Sequence, residues 1–322
     1  MSRSRPPRRV TVEACAKLNL GLAVGPRRAD GYHDLVTVFQ SVSLRDTLQG
    51  ERTARGFALR VRHEDVAMRG GLSGAARARV PVGPENLVLR AARLVHERLA
   101  LPGGARFTLV KRIPTQAGMG GGSADAAAAI EVVLRLHGRR VPRSTRLAWA
   151  LELGSDVPFA CLGGTALGLG RGERLKSLRL TEPFRAIVAM PSWSVSTAEA
   201  FKRHHLNRNR LTPWRDHLRF ASSLGRRRLP ASALLRRGNR FEALLGKHRR
   251  DFESLCARLR AAGLQEPRLT GSGSAVFAIV PRGGSVRGIA ARFKGEEPLY
   301  EVRSTAKGVR LLHPRRLDEA QG

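Results

Sequence analysis

The chain has 322 residues, 42% of them hydrophobic and spread along its length, which supplies cores for two ordinary domains; it holds no apolar run of about eighteen residues, so neither a membrane span nor secretion is expected. Cys15, Cys161 and Cys256 are far apart and lack CxxC or His-ligand spacing, which fits a reducing, cytoplasmic setting better than a disulfide framework or zinc site. The formal charge of +32 would attract nucleic acid or phosphorylated metabolites, but the arginines are scattered and no homeodomain, zinc-finger or RNP-like pattern organises them, so no dedicated nucleic-acid partner is expected.

In chain order, runs of branched and apolar residues bounded by turn formers predict strands over 10–14 and 18–24. Apolar residues at three- and four-residue spacing predict a helix over 86–98, then a strand over 107–111 and helices over 123–137 and 144–153. A strand over 165–169 follows, and another over 185–190 that ends in Pro191 and opens a second domain. Helices over 197–204, 240–245 and 251–262 and a strand over 274–280 complete an irregular α/β pattern, divided into domains at 1–184 and 185–322.

The stretch from Phe107 to Gly138 carries the most chemical information. A strand runs through Ile113-Pro114 into Thr115-Gln116-Ala117-Gly118-Met119-Gly120-Gly121-Gly122, then into Ser123-Ala124-Asp125 and an Ala-rich helix. Glycines carry no Cβ to hold a ligand away, and the unpaired N–H groups of a helix start present partial positive charge, so the pattern suits a polyphosphate. Ser123 can cap the helix or offer its hydroxyl to a phosphate, and Asp125 can complement the helix dipole. No Lys-Ser/Thr follows the last glycine, which excludes a Walker A loop, and no acidic strand end sits at the distance that a Rossmann fingerprint needs.

The segment from Pro114 to Ala124 resembles the phosphate loop of the GHMP kinases, with Met119 where leucine is usual. Ala16-Lys17-Leu18-Asn19-Leu20, with Arg28-Ala29-Asp30-Gly31-Tyr32-His33-Asp34-Leu35 and Val38-Phe39-Gln40, is similar to the N-terminal signature of one branch, the diphosphocytidyl-methylerythritol kinases. Leu153-Gly154-Ser155-Asp156-Val157-Pro158-Phe159 resembles their catalytic block, and Leu269-Thr270-Gly271-Ser272-Gly273-Ser274 the third GHMP motif. The blocks occur in the family's order and cover most of the chain.

The resemblance implies an α/β (α+β) two-domain GHMP kinase fold, with an N-terminal ribosomal-protein-S5-like domain and a C-terminal ferredoxin-like domain. It implies transfer of a phosphoryl group from ATP, with Mg²⁺, to the 2-hydroxyl of 4-diphosphocytidyl-2-C-methyl-D-erythritol in non-mevalonate isoprenoid synthesis. Another GHMP small-molecule kinase, or a basic RNA-binding protein on this fold, are the alternatives. By the same resemblance Asp156 is the catalytic base and Lys17 lies beside it, stabilising charge near the γ-phosphate. Lysine there is notable in a chain with 7 lysines and 51 arginines. ATP is assigned to Pro114, Thr115, Gln116, Ala117, Gly118, Met119, Gly120, Gly121, Gly122, Ser123 and Ala124. Tyr32 and Phe201 are expected to sandwich the cytosine while His33 bonds its edge, although an apolar residue at Phe201's helical spacing also fits a core. Asn19 and Thr197 are expected to orient other parts of the substrate. Gly271, Ser272 and Gly273 are expected to bring a second glycine-rich backbone close, where a simple hairpin turn is the other reading. No carboxylate pair announces a protein metal site.

Overall fold

One strand, β1 (Arg9–Arg27), takes up both of the stretches expected over 10–14 and 18–24 and carries Lys17 and Asn19 at its centre. The computed structural model describes residues 6–70, 80–206, 214–224 and 228–312; the Arg/Pro-rich start of the chain as far as Arg5 lies outside them. β1 pairs antiparallel with β2 (His33–Thr53), whose alternation of Val36, Val38, Val42, Leu44 and Leu48 sends one face into the core. The turn between them is built by the Arg28–Tyr32 segment: Arg28 N–H donates to Tyr32 O, and Asp30 accepts from Tyr32 N–H while pairing with Arg28.

β2 is long enough to pair twice on its other edge. Its first half pairs with β5 (Thr165–Gly170), which continues to β6 (Arg174–Leu178). Its second half pairs with β4 (Gly104–Lys111), which carries β3 (Phe57–His63) in parallel on its far side. The connection from β3 to β4 contains α1 (Leu87–Arg98), whose first turn is capped by Asn86 accepting from Val88 N–H, a contact worth about 1 kcal/mol. After β4 comes α2 (Gly121–Leu136). Its Ala124 and Ala126–Ala129, with Ile130, Val132 and Val133, are buried on every side, because small side chains let it lie between the sheet and α1, α3 (Arg143–Leu153) and α4 (Val157–Leu162).

Between β6 and β7 (Arg185–Ala189) the chain leaves this sheet for a second one. The helices α5 (Thr197–Leu206), α6 (Trp214–Ser223) and α7 (Ala231–Leu235) follow and contact β1, which is why the stretch from Leu18 to Val24 is buried on both faces. The helix expected over 240–245 is a 3-10 turn, Arg240–Leu244. α8 (Arg249–Ala261), β8 (Gln265–Leu269), β9 (Val276–Ile279), α9 (Val286–Arg292) and β10 (Leu299–Arg303) complete an antiparallel sheet in the order β10-β7-β9-β8. β11 (Val309–Leu312) then returns to the first sheet beside β1, so a division at 184/185 leaves this strand across the boundary from the sheet it joins. Among the described residues no helix is long and apolar enough to cross a membrane.

Candidate active site

Lys17 is buried in β1 between two register shifts, after Cys15 and after Asn19, that break the regular alternation of the strand. Its Nζ donates to Asn19 Oδ1 at 2.5 Å and lies 3.8 Å from Asp156 Oδ2. Burial lowers the Lys17 pKa, and the Asp156 charge opposes that shift. Asp156 stands at the N-cap position of α4, yet its side chain makes no capping bond, so the carboxylate is not consumed by the helix. About a third of that side chain is open to solvent, at the wall of a cavity of about 740 Å³.

Asn19 is a junction, buried and bonded on every side. Oδ1 accepts from Lys17 and from Gly271 N–H at 2.9 Å, and Nδ2 donates to Thr37 Oγ1 at 2.8 Å. Neither it nor Lys17 is part of the cavity wall; Lys17 is linked to the wall through Asp156. Asn239 holds the same turn from the other side, with Nδ2 donating to Leu269 O and Gly271 O. Ser272 Oγ lies 2.9 Å from Thr197 Oγ1, which ties the turn to the start of α5.

The glycine loop packs between Lys17 and this turn. Lys17 N–H donates to Met119 O, and Ala275 N–H to Ala117 O. Gly118 has a φ of +73°, and a Cβ there would stand 2.1 Å from Thr270 O. At Gly120, with φ +72°, a Cβ would meet the Lys17 side chain at 3.1 Å, and at Gly121 it would meet Lys111 Nζ at 3.1 Å. Only Gly122 is open, its nearest neighbour being Leu87 Cδ1 at 3.6 Å. A backbone contact therefore requires glycine at Gly118, the positive φ favours it at Gly120 and close side chains crowd Gly121, whereas phosphate approach was the reason expected from sequence. The helix also starts earlier than expected. Gly120 is the N-cap, and Ser123 lies within the first turn with its place in the cavity wall. Asp125 does not face outward to complement the dipole; it is buried in an ion pair with Lys111 at 2.8 Å.

Tyr32, His33 and Phe201 line the same cavity. His33 donates Nδ1–H to the Gly25 carbonyl at 3.0 Å and is stacked on Phe201 with centroids 5.5 Å apart, so the phenyl ring is partly core and partly wall. Tyr32 is half exposed, and the Arg171 guanidinium lies 4.1 Å from its ring centroid. Thr197 is also in the wall. Arg27, Arg171 and Lys202 also line the cavity and were not singled out from the sequence. The Gly170-Arg171-Gly172 turn, a cation between two positive-φ glycines at a strand end, was the one local signal. Lys111 with its two buried aspartates gave none, since partners 65 and 14 residues away leave no local pattern.

This geometry belongs to a fold already known. The profile of the GHMP kinases N terminal domain matches residues 86–164, which span α1, the glycine loop and Asp156. A protein of Moorella thermoacetica named 4-diphosphocytidyl-2-C-methyl-D-erythritol kinase is 38% identical over 291 residues, covering 90% of this chain and 96% of its own. One of the same name from Pelotomaculum thermopropionicum is 36% identical over 299 residues, covering 88% and 94%. A crystal structure of 4-(cytidine 5'-diphospho)-2C-methyl-D-erythritol kinase superposes with a TM-score of 0.67 at 34% identity, covering 91% of this chain and 98% of that one. Homoserine kinase from Cytophaga hutchinsonii, at 16% identity and a TM-score of 0.65 over 97% of this chain and all of that one, shares the fold. Similarity at this level over nearly the full length places the chain in the 4-diphosphocytidyl-2-C-methyl-D-erythritol kinase family, the ATP-dependent small-molecule kinases of GHMP fold.

Proposed function

We propose that this chain transfers the γ-phosphoryl group of ATP to the 2-hydroxyl of 4-diphosphocytidyl-2-C-methyl-D-erythritol, a step towards isoprenoid precursors. The observation that carries the reading is the Lys17–Asp156 pair, 3.8 Å apart, with Asp156 on the wall of a cavity that Tyr32, His33 and Phe201 also line. A hydroxyl in this cavity can give its proton to the Asp156 carboxylate as it attacks, while the Lys17 ammonium stabilises the charge that builds on the transferring group. The N–H groups at the start of α2 face phosphate oxygens in this reading, with the loop from Pro114 to Ala124 as the ATP site.

At the acceptor end, a cytosine ring stacks against Tyr32 and Phe201 next to His33, and Arg27, Arg171 and Lys202 offset the diphosphate charge. Thr197 borders the same space, the Gly271-Ser272-Gly273 turn stands behind it through the Ser272–Thr197 contact, and Asn19 acts by holding Lys17. Mg²⁺ fits as an ion brought in by ATP: Ser123 offers a hard oxygen donor in the cavity wall and would hold it, and the ion would add positive charge on the phosphate oxygens. Residues 1–184 and 185–322 are read as two domains with the site between them and β11 closing the first sheet. The free thiols of Cys15, Cys161 and Cys256 fit a cytoplasmic protein.

ADP release from purified protein with Mg·ATP, with and without the diphosphocytidyl acceptor, tests this reading beside Asp156→Ala. Acceptor-dependent turnover that collapses in the variant is expected. Turnover only with a different alcohol would overturn the substrate assignment and leave the kinase fold.

A further inference from the structure

Among the described residues two lysines are buried, and the mechanism uses only Lys17. The other, Lys111, is the last residue of β4, immediately before the segment that leads into the glycine loop. Its Nζ donates to Asp46 Oδ2 at 2.5 Å and to Asp125 Oδ2 at 2.8 Å, and all three side chains are at least nine-tenths buried. Asp46 Oδ1 accepts the backbone N–H groups of Arg112, at 2.6 Å, and Ile113, at 2.9 Å. A Cβ on Gly121 would come within 3.1 Å of the same ammonium, so the charge lies against the first residue of α2. One buried point thus joins β2, the strand leading into the loop, and the helix whose N-terminus follows the loop.

Two carboxylates around one ammonium in a dry site are a poor way to stabilise a fold, because desolvation of the ions rivals their attraction and apolar residues of the same volume do as well or better. The geometry does something that apolar residues would not. Asp46 fixes the direction in which the chain leaves β4, and Asp125, through Lys111, fixes where α2 begins relative to it. We propose that Asp46, Lys111 and Asp125 form a positioning triad that sets the angle between the glycine loop and the α2 N-terminus, and so the affinity of the site for nucleotide phosphates. The triad rests on the reading of this loop as the ATP site.

Asp125 provides the discriminating variants. Its Oδ1 has no hydrogen-bond partner, so Asp125→Asn keeps an oxygen on Lys111 and places the amide nitrogen where the unpartnered atom stands. Asp125→Leu fills similar space and removes the link, and Lys111→Met removes the centre of the triad. The readouts are the dissociation constant for Mg·ADP by calorimetry, the KM for ATP and for the acceptor, and the thermal midpoint. Asp125→Leu and Lys111→Met should weaken Mg·ADP and raise the ATP KM about tenfold or more, with the acceptor KM unchanged, and Asp125→Asn should restore most of the loss. If Lys111→Met does not fold, the two Asp125 variants decide. Mg·ADP binding by the wild type with the same affinity in folded Asp125→Leu would overturn the triad alone, and no Mg·ADP binding by the wild type would overturn the loop reading together with it.

Discussion

Lys17 Nζ stands 3.8 Å from Asp156 Oδ2 because Asn19 Oδ1 holds the same ammonium at 2.5 Å. The lysine is thereby kept near the carboxylate without closing a short ion pair that would lock it away from a substrate hydroxyl. Asp156→Asn should lower kcat by about 10²–10⁴ with both KM values within a few-fold, since a lost general base acts mainly in the transition state. Lys17→Met should fall in a similar range, and Asn19→Leu should cost less, because it loosens the lysine and does not remove it. Steady-state kinetics with calorimetric nucleotide binding separate these effects.

The acceptor end should respond differently. Arg171→Gln removes a guanidinium 4.1 Å from the Tyr32 ring centroid and one of the cavity's charges. The acceptor KM should rise about tenfold, the ATP KM should stay unchanged, and Arg171→Lys should recover part of the loss, since a point charge replaces the stacking fork only in part. Tyr32→Leu should raise the acceptor KM by a comparable factor, because stacking of a base on an aromatic ring is worth about 1–3 kcal/mol. An ATP KM that moved with either change would place these residues at the wrong end of the cavity.

Two glycines in one loop should behave in opposite ways. Gly118→Ala puts a Cβ 2.1 Å from a backbone oxygen at a φ of +73°, so the protein should lose at least about 3 kcal/mol of stability. Gly122→Ala meets nothing closer than 3.6 Å in a helical position, where alanine is favoured by about 1 kcal/mol. Its thermal midpoint should hold or rise, while the ATP KM rises because a methyl now stands on the surface that phosphate approaches. Thermal melts beside ATP kinetics check both.

Two histidines at the C-terminal ends of α1 and α2 predict an acid response. His96 and His137 meet edge to face, centroids 5.0 Å apart, and neither Nε2 has a hydrogen-bond partner. Burial lowers both pKa values, that of His137 to about 4, with the charges of His96, Arg52 and Arg139 adding to the shift. An unfolded histidine titrates near about 6.5, so between there and about 4 the unfolded chain takes up protons that the folded one refuses. This contribution is complete above pH 6.5 and is lost as the pH falls towards 4. Urea midpoints at a series of pH values should show the decline, and His137→Gln should flatten it.

How much of this was legible in the sequence depended on the range of the interactions. The glycine loop, Lys17 and Asp156 stand in contiguous blocks whose spacing carries their meaning, and they meet at one site. β2 was also legible in principle, since its alternation of Val36, Val38, Val42 and Leu44 is the period-two signal of a half-buried strand. Its residues drew notice only as a motif. What could not be read is set by partners far apart in the chain: Gly118 is glycine because of Thr270, and Asp125 is buried because of Lys111 and Asp46. Helix capping failed at Ser123 for a related reason. The positive φ of Gly120 starts the helix earlier than the first residue with a capping side chain.

β11 lies along the outer edge of β1, with Thr11 opposite Leu312. During translation the strand that carries Lys17 is therefore made about 300 residues before one of its two neighbours. At typical rates of about 5–20 residues per second, that edge waits roughly 15–60 s for its partner. Until then it presents a row of unpaired backbone groups, open to pairing with other nascent chains. The strand that carries Lys17 becomes an interior strand only once residues 309–312 have been made, so a nascent chain that stops short of them carries all the blocks that resemble the kinase motifs without the completed sheet that holds them.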